Sequence, residues 1–144
     1  MSKNRKAKQR FIGIPHQAYL EPAFAQLSHR ARSLLIDIAA QYNGHNNGDL
    51  HCTWQLMKDK GWRSRTTLYK ARDELLQAGF IETTRQAKTD YRLRGRLGKL
   101  GTGPNLYAVT WAGIDEKDKG WPLDVKPNST PSLRFRRLRV VVNE

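Results

Sequence analysis

In residues 50–111 the sequence patterns of strands and helices follow one another in an order that few folds have. β-prone runs lie at both ends of this stretch, and two amphipathic helical patterns lie between them around a Gly-Trp turn. The expected elements are, in order, a strand at 50–53, helices at 54–60 and 64–77, and strands at 80–84 and 106–111. Helices joined by so short a turn pack at a steep angle, and a strand pair can then cover their apolar side. The sequence therefore predicts an α+β domain built on a helix-turn-helix.

A longer helix is expected just before this stretch. Ser28 is a good N-cap, and Gly44 is expected to end the helix. Ile36 lies off the apolar face of this helix, which indicates a second contact, either with residues 11–24 or with another subunit. A short helix with Pro22 in its first turn is expected within residues 20–27. The apolar residues that follow Ser28 at helical spacing are Ala31, Leu34, Leu35, Ile38, Ala39 and Tyr42.

The helix at 64–77 has one apolar and one polar face. Ser64 can cap its start and Gly79 can end it, and Thr53 is expected to cap the helix at 54–60. The apolar face carries Leu68, Ala71, Leu75 and Leu76, and the opposite face carries Thr66, Tyr69, Lys70, Asp73 and Gln77. A strand pair joined by a long loop follows. The pattern predicts an α+β winged helix-turn-helix with three main helices, a small antiparallel β-sheet and a long basic wing.

The positive charge is concentrated outside the expected core. The chain has 26 Lys and Arg against 13 Asp and Glu, a net charge of +13. Residues 1–10 contain five basic residues and no acid, residues 85–104 six and one, and residues 134–144 four and one. We expect a basic flexible arm at 1–10, a winged-helix domain at 11–115, and a linker with an Arg-rich strand or tail at 116–144. This distribution favours a polyanionic partner, with double-stranded DNA as the first candidate.

The same inventory argues against an enzyme and against a membrane protein. No apolar run is long enough to span a bilayer, and no apolar run follows the basic N-terminus as in a secretory signal. Cys52 is the one cysteine, so no internal disulfide is expected and the chain suits a reducing compartment such as the cytoplasm. His45, Asp49, His51 and Cys52 lie close together, but their spacing fits no metal site. No catalytic residue, metal or cofactor is therefore predicted.

DNA contacts are expected on the third helix and on the wing. The start of a recognition helix meets bases or phosphates in the major groove, and arginines on a loop can enter a narrow minor groove. Asp73 would repel phosphate, so it is expected either to accept a hydrogen bond from cytosine or to pair with Lys70 or Gln77. The predicted contacts are Arg63, Ser64, Arg65, Thr66, Thr67, Tyr69, Lys70 and Asp73 on and before the helix, and Arg85, Lys88, Arg92, Arg94, Arg96 and Lys99 on the wing.

Several short runs between residues 11 and 115 form a specific pattern. The runs are Gln41-Tyr42-Asn43-Gly44, Asn46-Asn47-Gly48-Asp49-Leu50, Gly61-Trp62, Gly79-Phe80-Ile81 and Thr84-Arg85-Gln86. They resemble a family of small helix-turn-helix proteins carried by bacterial phages, plasmids and integrative elements. The resemblance implies a winged helix that binds DNA in the bacterial cytoplasm, in replication initiation or transcriptional regulation of a mobile genetic element. The chain departs from the family at Ala87, where the family has Gly, and in its long basic wing, so wing contacts are not carried over.

Two other classes of function fit the charge and size of the chain. One is an RNA-binding module, for example one associated with the ribosome. The other is a protein-interaction module that uses the winged-helix surface and Ile36, such as a phage-encoded inhibitor of a host system. Many helix-turn-helix proteins read two half-sites as dimers. A homodimer is therefore considered, with the Arg-rich run at 134–139 pairing with its own copy, as is a replication or host protein partner.

Overall fold

The computed structural model describes residues 9–87 and 103–137. Within them the chain is an α+β domain with six α-helices and a two-stranded antiparallel sheet. The short helices α1 and α2 come first, α3 and α5 form the helical scaffold with α4 between them, and α6 follows the sheet. The elements are α1 His16–Tyr19, α2 Pro22–Ala25, α3 His29–Ala39, α4 Trp54–Met57, a 3₁₀ turn Lys58–Lys60, α5 Arg65–Ala78, β1 Ile81–Arg85, β2 Leu106–Val109 and α6 Arg134–Arg137.

The predicted start of α3 is confirmed, but its predicted end is wrong. The Ser28 hydroxyl accepts a hydrogen bond from the backbone N–H of Ala31 at 3.1 Å, as an N-cap should. The helix ends at Ala39 rather than near Gly44. Beyond it, the backbone N–H groups of Gln41 and Tyr42 bond to carbonyls three residues earlier instead of four. The Asn46 side chain then donates to the carbonyl of Gln41 at 2.8 Å and holds this turn closed. Gly44, with a φ of 95°, lies in the loop beyond it.

Both predicted ends of α5 are confirmed. The Ser64 hydroxyl accepts from the backbone N–H of Thr67 at 3.3 Å. Gly79 ends the helix in the left-handed conformation at a φ of 83°, where its N–H still bonds the carbonyl of Leu75. The apolar stripe points inward against α3, with Leu68, Ala71 and Leu75 buried.

The helix predicted at 54–60 forms in two parts, and Thr53 does not cap it through its side chain. The α-helical part, α4, stops at Met57, and the 3₁₀ turn continues to Lys60 before Gly61, at a φ of 99°. The Thr53 hydroxyl is instead 3.1 Å from Nδ1 of His51. The Thr53 hydroxyl therefore interacts with the His51 side chain and accepts no hydrogen bond from the free N–H groups at the start of α4.

The strand predicted at 50–53 is reduced to a single bridge. Leu50 pairs with Tyr107 of β2, and the chain then leaves the sheet. The strand stops there because the Gln41 side chain occupies both backbone groups of His51. It accepts a hydrogen bond from the His51 N–H at 3.0 Å and donates one to the His51 carbonyl at 2.7 Å. The other two predicted strands are confirmed as β1 and β2, with Ile81 opposite Val109.

The C-terminal segment is packed onto the domain instead of leaving it as a linker after residue 115. Ile114 forms a bridge with Asn128, and the N–H of Leu133 donates to the carbonyl of Thr110 at 2.8 Å. Where a strand or tail was expected, the chain forms α6, and the Phe135 side chain of this helix enters the core. Residues 138–144 lie outside the described part of the chain, as do residues 1–8 of the predicted arm.

A row of aromatic rings joins α1 and α2 to α6 in the core. Phe80 stacks on Phe135 with ring centroids 5.2 Å apart, and meets Phe24 edge-on at 5.7 Å. Tyr19 extends the row to the surface. Ile36 is 44% exposed, so a large part of its side chain is left uncovered by the described residues.

Candidate nucleic-acid interface

The outer face of α5 presents five of the fourteen predicted DNA contacts together. Arg65, Thr66, Lys70 and Asp73 are exposed on it, and Tyr69 is 36% exposed. Their common orientation follows from the opposite apolar stripe, which fixes the rotation of the helix about its axis. The remaining predicted residues of this region flank the start of the helix: Arg63 and Ser64 are exposed in the preceding turn, and Thr67 is half-buried at the edge of the face.

Two polar clamps hold α5 and the turn before it against α3. The Glu74 carboxylate accepts from the N–H of Ser28 at 2.6 Å and from its hydroxyl at 2.7 Å. In the turn, Nε1 of Trp62 donates to the Asp37 carboxylate at 2.9 Å. Charged acceptors make the stronger class of hydrogen bonds. The face of α5 is therefore presented at a fixed angle, as recognition of a rigid surface requires.

Asp73 pairs with Arg72 rather than with Lys70 or Gln77. The Nε atom of Arg72 is 3.0 Å from Oδ1 of Asp73, and the same guanidinium lies 4.8 Å from the centre of the Tyr69 ring. The pair places a positive group beside the one acidic residue on the outer face of α5. The guanidinium of Arg72 reduces the repulsion between Asp73 and a phosphate, and the exposed face as a whole stays basic.

Behind Arg72 lies a cavity of about 190 Å³ between α4, α5 and the start of β2. Burial raises the pKa of the Tyr107 hydroxyl to about 12, and hydrogen bonds from Asn105 and Arg72 only partly oppose this rise. Burial likewise raises the pKa of the Cys52 thiol to about 11. Both groups are protonated near neutral pH, so the cavity holds no thiolate, and the buried Cys52 is a poor nucleophile.

Arg85 was predicted to contact DNA from the wing, but the structure buries it where the loop between β1 and β2 begins. This residue is 7% exposed, donates from Nη1 to the carbonyl of Pro104 at 2.6 Å, and lies over the ring of Trp121 at 4.7 Å. It is a structural part of the loop root, and its guanidinium is not presented to a ligand. The other predicted wing contacts, Lys88, Arg92, Arg94, Arg96 and Lys99, lie outside the described residues.

The packed C-terminal segment fixes this loop root. The N–H of Gln86 donates to the Asp124 carboxylate at 2.8 Å, and the N–H of Asp124 donates to the carbonyl of Thr84 at 2.7 Å. Across the loop, the N–H of Ala87 donates to the side-chain oxygen of Asn105 at 2.6 Å. These bonds fix the start of the loop, at Gln86 and Ala87, relative to its end at Asn105.

The distribution of ion pairs leaves one side of the domain with uncompensated positive charge. Three cations away from α5 pair with acids: Lys117 with Asp49 at 2.6 Å, Arg134 with Glu82 at 3.7 Å and Arg136 with Glu21 at 3.7 Å. By contrast, five cations on and beside α5 form no ion pair with a described residue: Arg30, Lys60, Arg63, Arg65 and Lys70.

Sequence reasoning missed Arg30 and Lys60. Both are exposed, and both lie beside the turn that precedes α5. Neither belongs to the helix-turn-helix face that the sequence pattern defines, since Arg30 is far away along the chain and Lys60 falls in the 3₁₀ turn. Only the packing of α3 against α5 brings them together.

None of the helices in residues 9–87 and 103–137 combines the length and apolar character needed to cross a membrane. In the same residues, no three His, Cys, Asp or Glu side chains are grouped as ligands of a metal ion would be.

Comparison of the chain with models of protein families, with curated proteins and with solved structures found no match.

Proposed function

We propose that this chain is a non-enzymatic winged helix-turn-helix protein that binds double-stranded DNA sequence-specifically through α5. The observation that carries the proposal is the outer face of α5, which is exposed, clamped to α3 and bordered by cations without acidic partners among the described residues. The order of the elements supports this fold: a long helix, a bridge at Leu50, a short helix, α5 and an antiparallel strand pair joined by a basic loop.

In this proposal α5 enters the major groove, whose width admits a helix. Lys70 donates to guanine or to a phosphate, Tyr69 contacts a thymine methyl group or a phosphate, and Thr66 lies in the first turn, where base and phosphate contacts concentrate. Arg72 occupies Oδ1 of Asp73, and Oδ2 of that carboxylate can accept from the amino group of cytosine. Ser64 and the N–H groups at the start of α5 face a phosphate.

The basic loop between β1 and β2 acts as the wing in this proposal. Arg92, Arg94 and Arg96 contact the adjacent minor groove or the backbone, where they add affinity that depends on salt. The resemblance of the sequence to proteins of phages, plasmids and integrative elements supports a role in replication initiation or transcriptional regulation of such an element. The packed loop root supports this placement of the wing, because it gives the loop a defined starting direction.

Selection from a random duplex DNA library at near-physiological salt, with RNA present as competitor, tests this function. We expect an enriched DNA motif, and its symmetry reports whether one or two copies of the chain bind. No enrichment would contradict the proposal. Equal binding of structured RNA and duplex DNA would instead indicate the RNA-binding alternative.

Two substitutions on α5 test how the motif is read. Lys70→Ala or Thr66→Ala should relax sequence preference at one position and lower affinity there by about 1–3 kcal/mol for each lost base contact. Lys126→Ala is the matched control for Lys70→Ala, because it removes one exposed positive charge outside the α5 face. If both α5 variants bind the selected motif with unchanged preference, α5 is not the reading element.

A further inference from the structure

A groove separates the first turn of α3 from the turn that precedes α5. We name it the α3–α5 groove and define it by Arg30, Lys60, Trp62, Arg63 and Ser64, all of which line it. Its volume of about 490 Å³ makes it a larger recess than the cavity behind Arg72. The α5 face does not contain Arg30 or Lys60, so the groove is a second surface that adjoins the first.

The lining of the groove is basic and contains no carboxylate. Arg30 contributes one positive charge from α3, and Lys60 and Arg63 contribute two from the other wall. None of these three side chains forms an ion pair within the described residues, whereas Lys117, Arg134 and Arg136 each do. Three uncompensated cations around one recess favour an anionic ligand.

Asp37 does not line the groove, and its carboxylate accepts a hydrogen bond from Nε1 of Trp62, which does. That bond fixes the orientation of the indole, which remains half-buried between the cations. The groove therefore combines a fixed apolar ring with a basic rim.

A nucleic-acid strand has the chemistry that matches both features. Its phosphates carry the negative charge, and the sugars between them present carbon atoms that can pack on an indole ring. Inorganic phosphate would use the rim alone and leave the ring exposed. Because Arg63 and Ser64 belong to the groove and also adjoin the start of α5, a strand leaving the α5 face can continue into the groove.

We propose that the α3–α5 groove binds the phosphodiester backbone of a DNA strand that flanks the base pairs read by α5. This inference rests on the proposed function and deepens it, since it extends the contact beyond the helix-turn-helix to α3. The groove then supplies affinity and register without sequence preference, because phosphate contacts position a protein while base contacts specify the sequence.

The double variant Arg30→Ala/Lys60→Ala tests this inference on the full chain. Its matched control is Lys119→Ala/Lys126→Ala, which removes the same charge from exposed positions outside the groove. Affinity for the selected duplex is measured as a function of salt concentration. Each lost phosphate contact lowers the salt slope by roughly 0.9 on B-form DNA, so the groove variant should lose close to two units of slope. The control should keep the wild-type slope, and the selected motif should be the same for all three proteins.

A second measurement places the contact on the DNA. Neutral methylphosphonate groups replace single phosphates along the duplex. Wild-type affinity should fall at phosphates next to the α5 motif, and the groove variant should not respond at those positions. Circular dichroism spectra and urea unfolding confirm that the variants are folded.

The outcomes separate this inference from the function on which it rests. If wild-type protein binds the motif and the groove variant keeps its salt slope, the inference fails and the proposed function stands. Equal loss of slope in groove variant and control would show a bulk charge effect and would also overturn it. If a polyglutamate peptide binds the wild type as tightly as DNA and loses affinity in the groove variant, the ligand is an acidic protein. If wild-type protein binds no DNA at any salt concentration, the proposed function and the inference fail together.

Discussion

Removing the Phe135 side chain is the sharpest test of how the C-terminal segment belongs to the domain. Phe135 is fully buried, and its ring stacks on Phe80 at a centroid distance of 5.2 Å and an interplanar angle of 8°. Truncation of a buried Phe to Ala costs about 3–5 kcal/mol, which combines lost transfer free energy with the cavity left behind. A stacked aromatic pair adds about 0.5–1.5 kcal/mol to simple burial in such measurements.

The position of Phe135 argues for the lower part of this range. It lies on α6, a single helical turn near the end of the described chain, and such an element can shift to fill part of the cavity. We therefore expect Phe135→Ala to lower the free energy of unfolding by about 3 kcal/mol. The domain would remain folded at room temperature if its stability is within the usual range of about 5–15 kcal/mol.

Urea unfolding followed by circular dichroism measures this change. Arg136→Ala is the matched control on the same turn, because its half-exposed side chain lies outside the aromatic row and makes only a long ion pair with Glu21 at 3.7 Å and a hydrogen bond to Gln17 at 3.0 Å. Exposed or loose ion pairs contribute little, about 0–1 kcal/mol. If Phe135→Ala lowers stability by no more than Arg136→Ala does, the aromatic stack is not part of the stabilising core and the reasoning is refuted.

Three further predictions concern the ends of α5 and one histidine. Ser64→Ala should lower the free energy of unfolding by about 1 kcal/mol, because the N-cap bond to Thr67 is lost; an unchanged urea midpoint would show that water replaces the cap. Gly79→Ala should cost more than Gly61→Ala, since both residues have positive φ but only at Gly79 would the new Cβ meet the α6 backbone, at 2.6 Å. Equal unfolding energies for these two variants would contradict close packing of α6 on α5. Burial lowers the pKa of His51 below its usual 6.5, so the unfolded chain takes up the proton first and stability should fall as the pH drops below about 6.5. Urea unfolding at about pH 7.5 and about pH 5.5 should show this loss, and His51→Gln should reduce it.

Features that depend on neighbouring residues could be predicted from the sequence. Ser28 and Ser64 cap helices because each hydroxyl needs only an N–H three residues away, and Gly79 ends α5 because its own backbone adopts a positive φ. The apolar stripe of α5 follows from helical periodicity in the same way. The outer face of α5 was therefore identified correctly as one exposed surface, although the sequence alone does not test what it binds.

Predictions failed where a distant side chain determined the local structure. Gln41 takes the backbone bonds of His51 and so shortens the expected strand to one bridge. Arg85 was expected to contact DNA from the wing, and it is buried with its guanidinium over the ring of Trp121. In each case the partner is ten or more residues away, beyond the reach of local patterns.

The sequence by itself determined the order of α3, α5, β1 and β2, the serine caps of α3 and α5, and the side of α5 that remains exposed, because these depend on hydrogen bonds and periodicity over a few residues. The tertiary structure decided which charges are compensated and which elements form the core. It buries Phe135 on Phe80 and brings Arg30 beside Lys60 and Arg63 at the α3–α5 groove. The physical reason is that burial and ion pairing depend on distance in space, and only the packing of α3, α5 and α6 sets those distances.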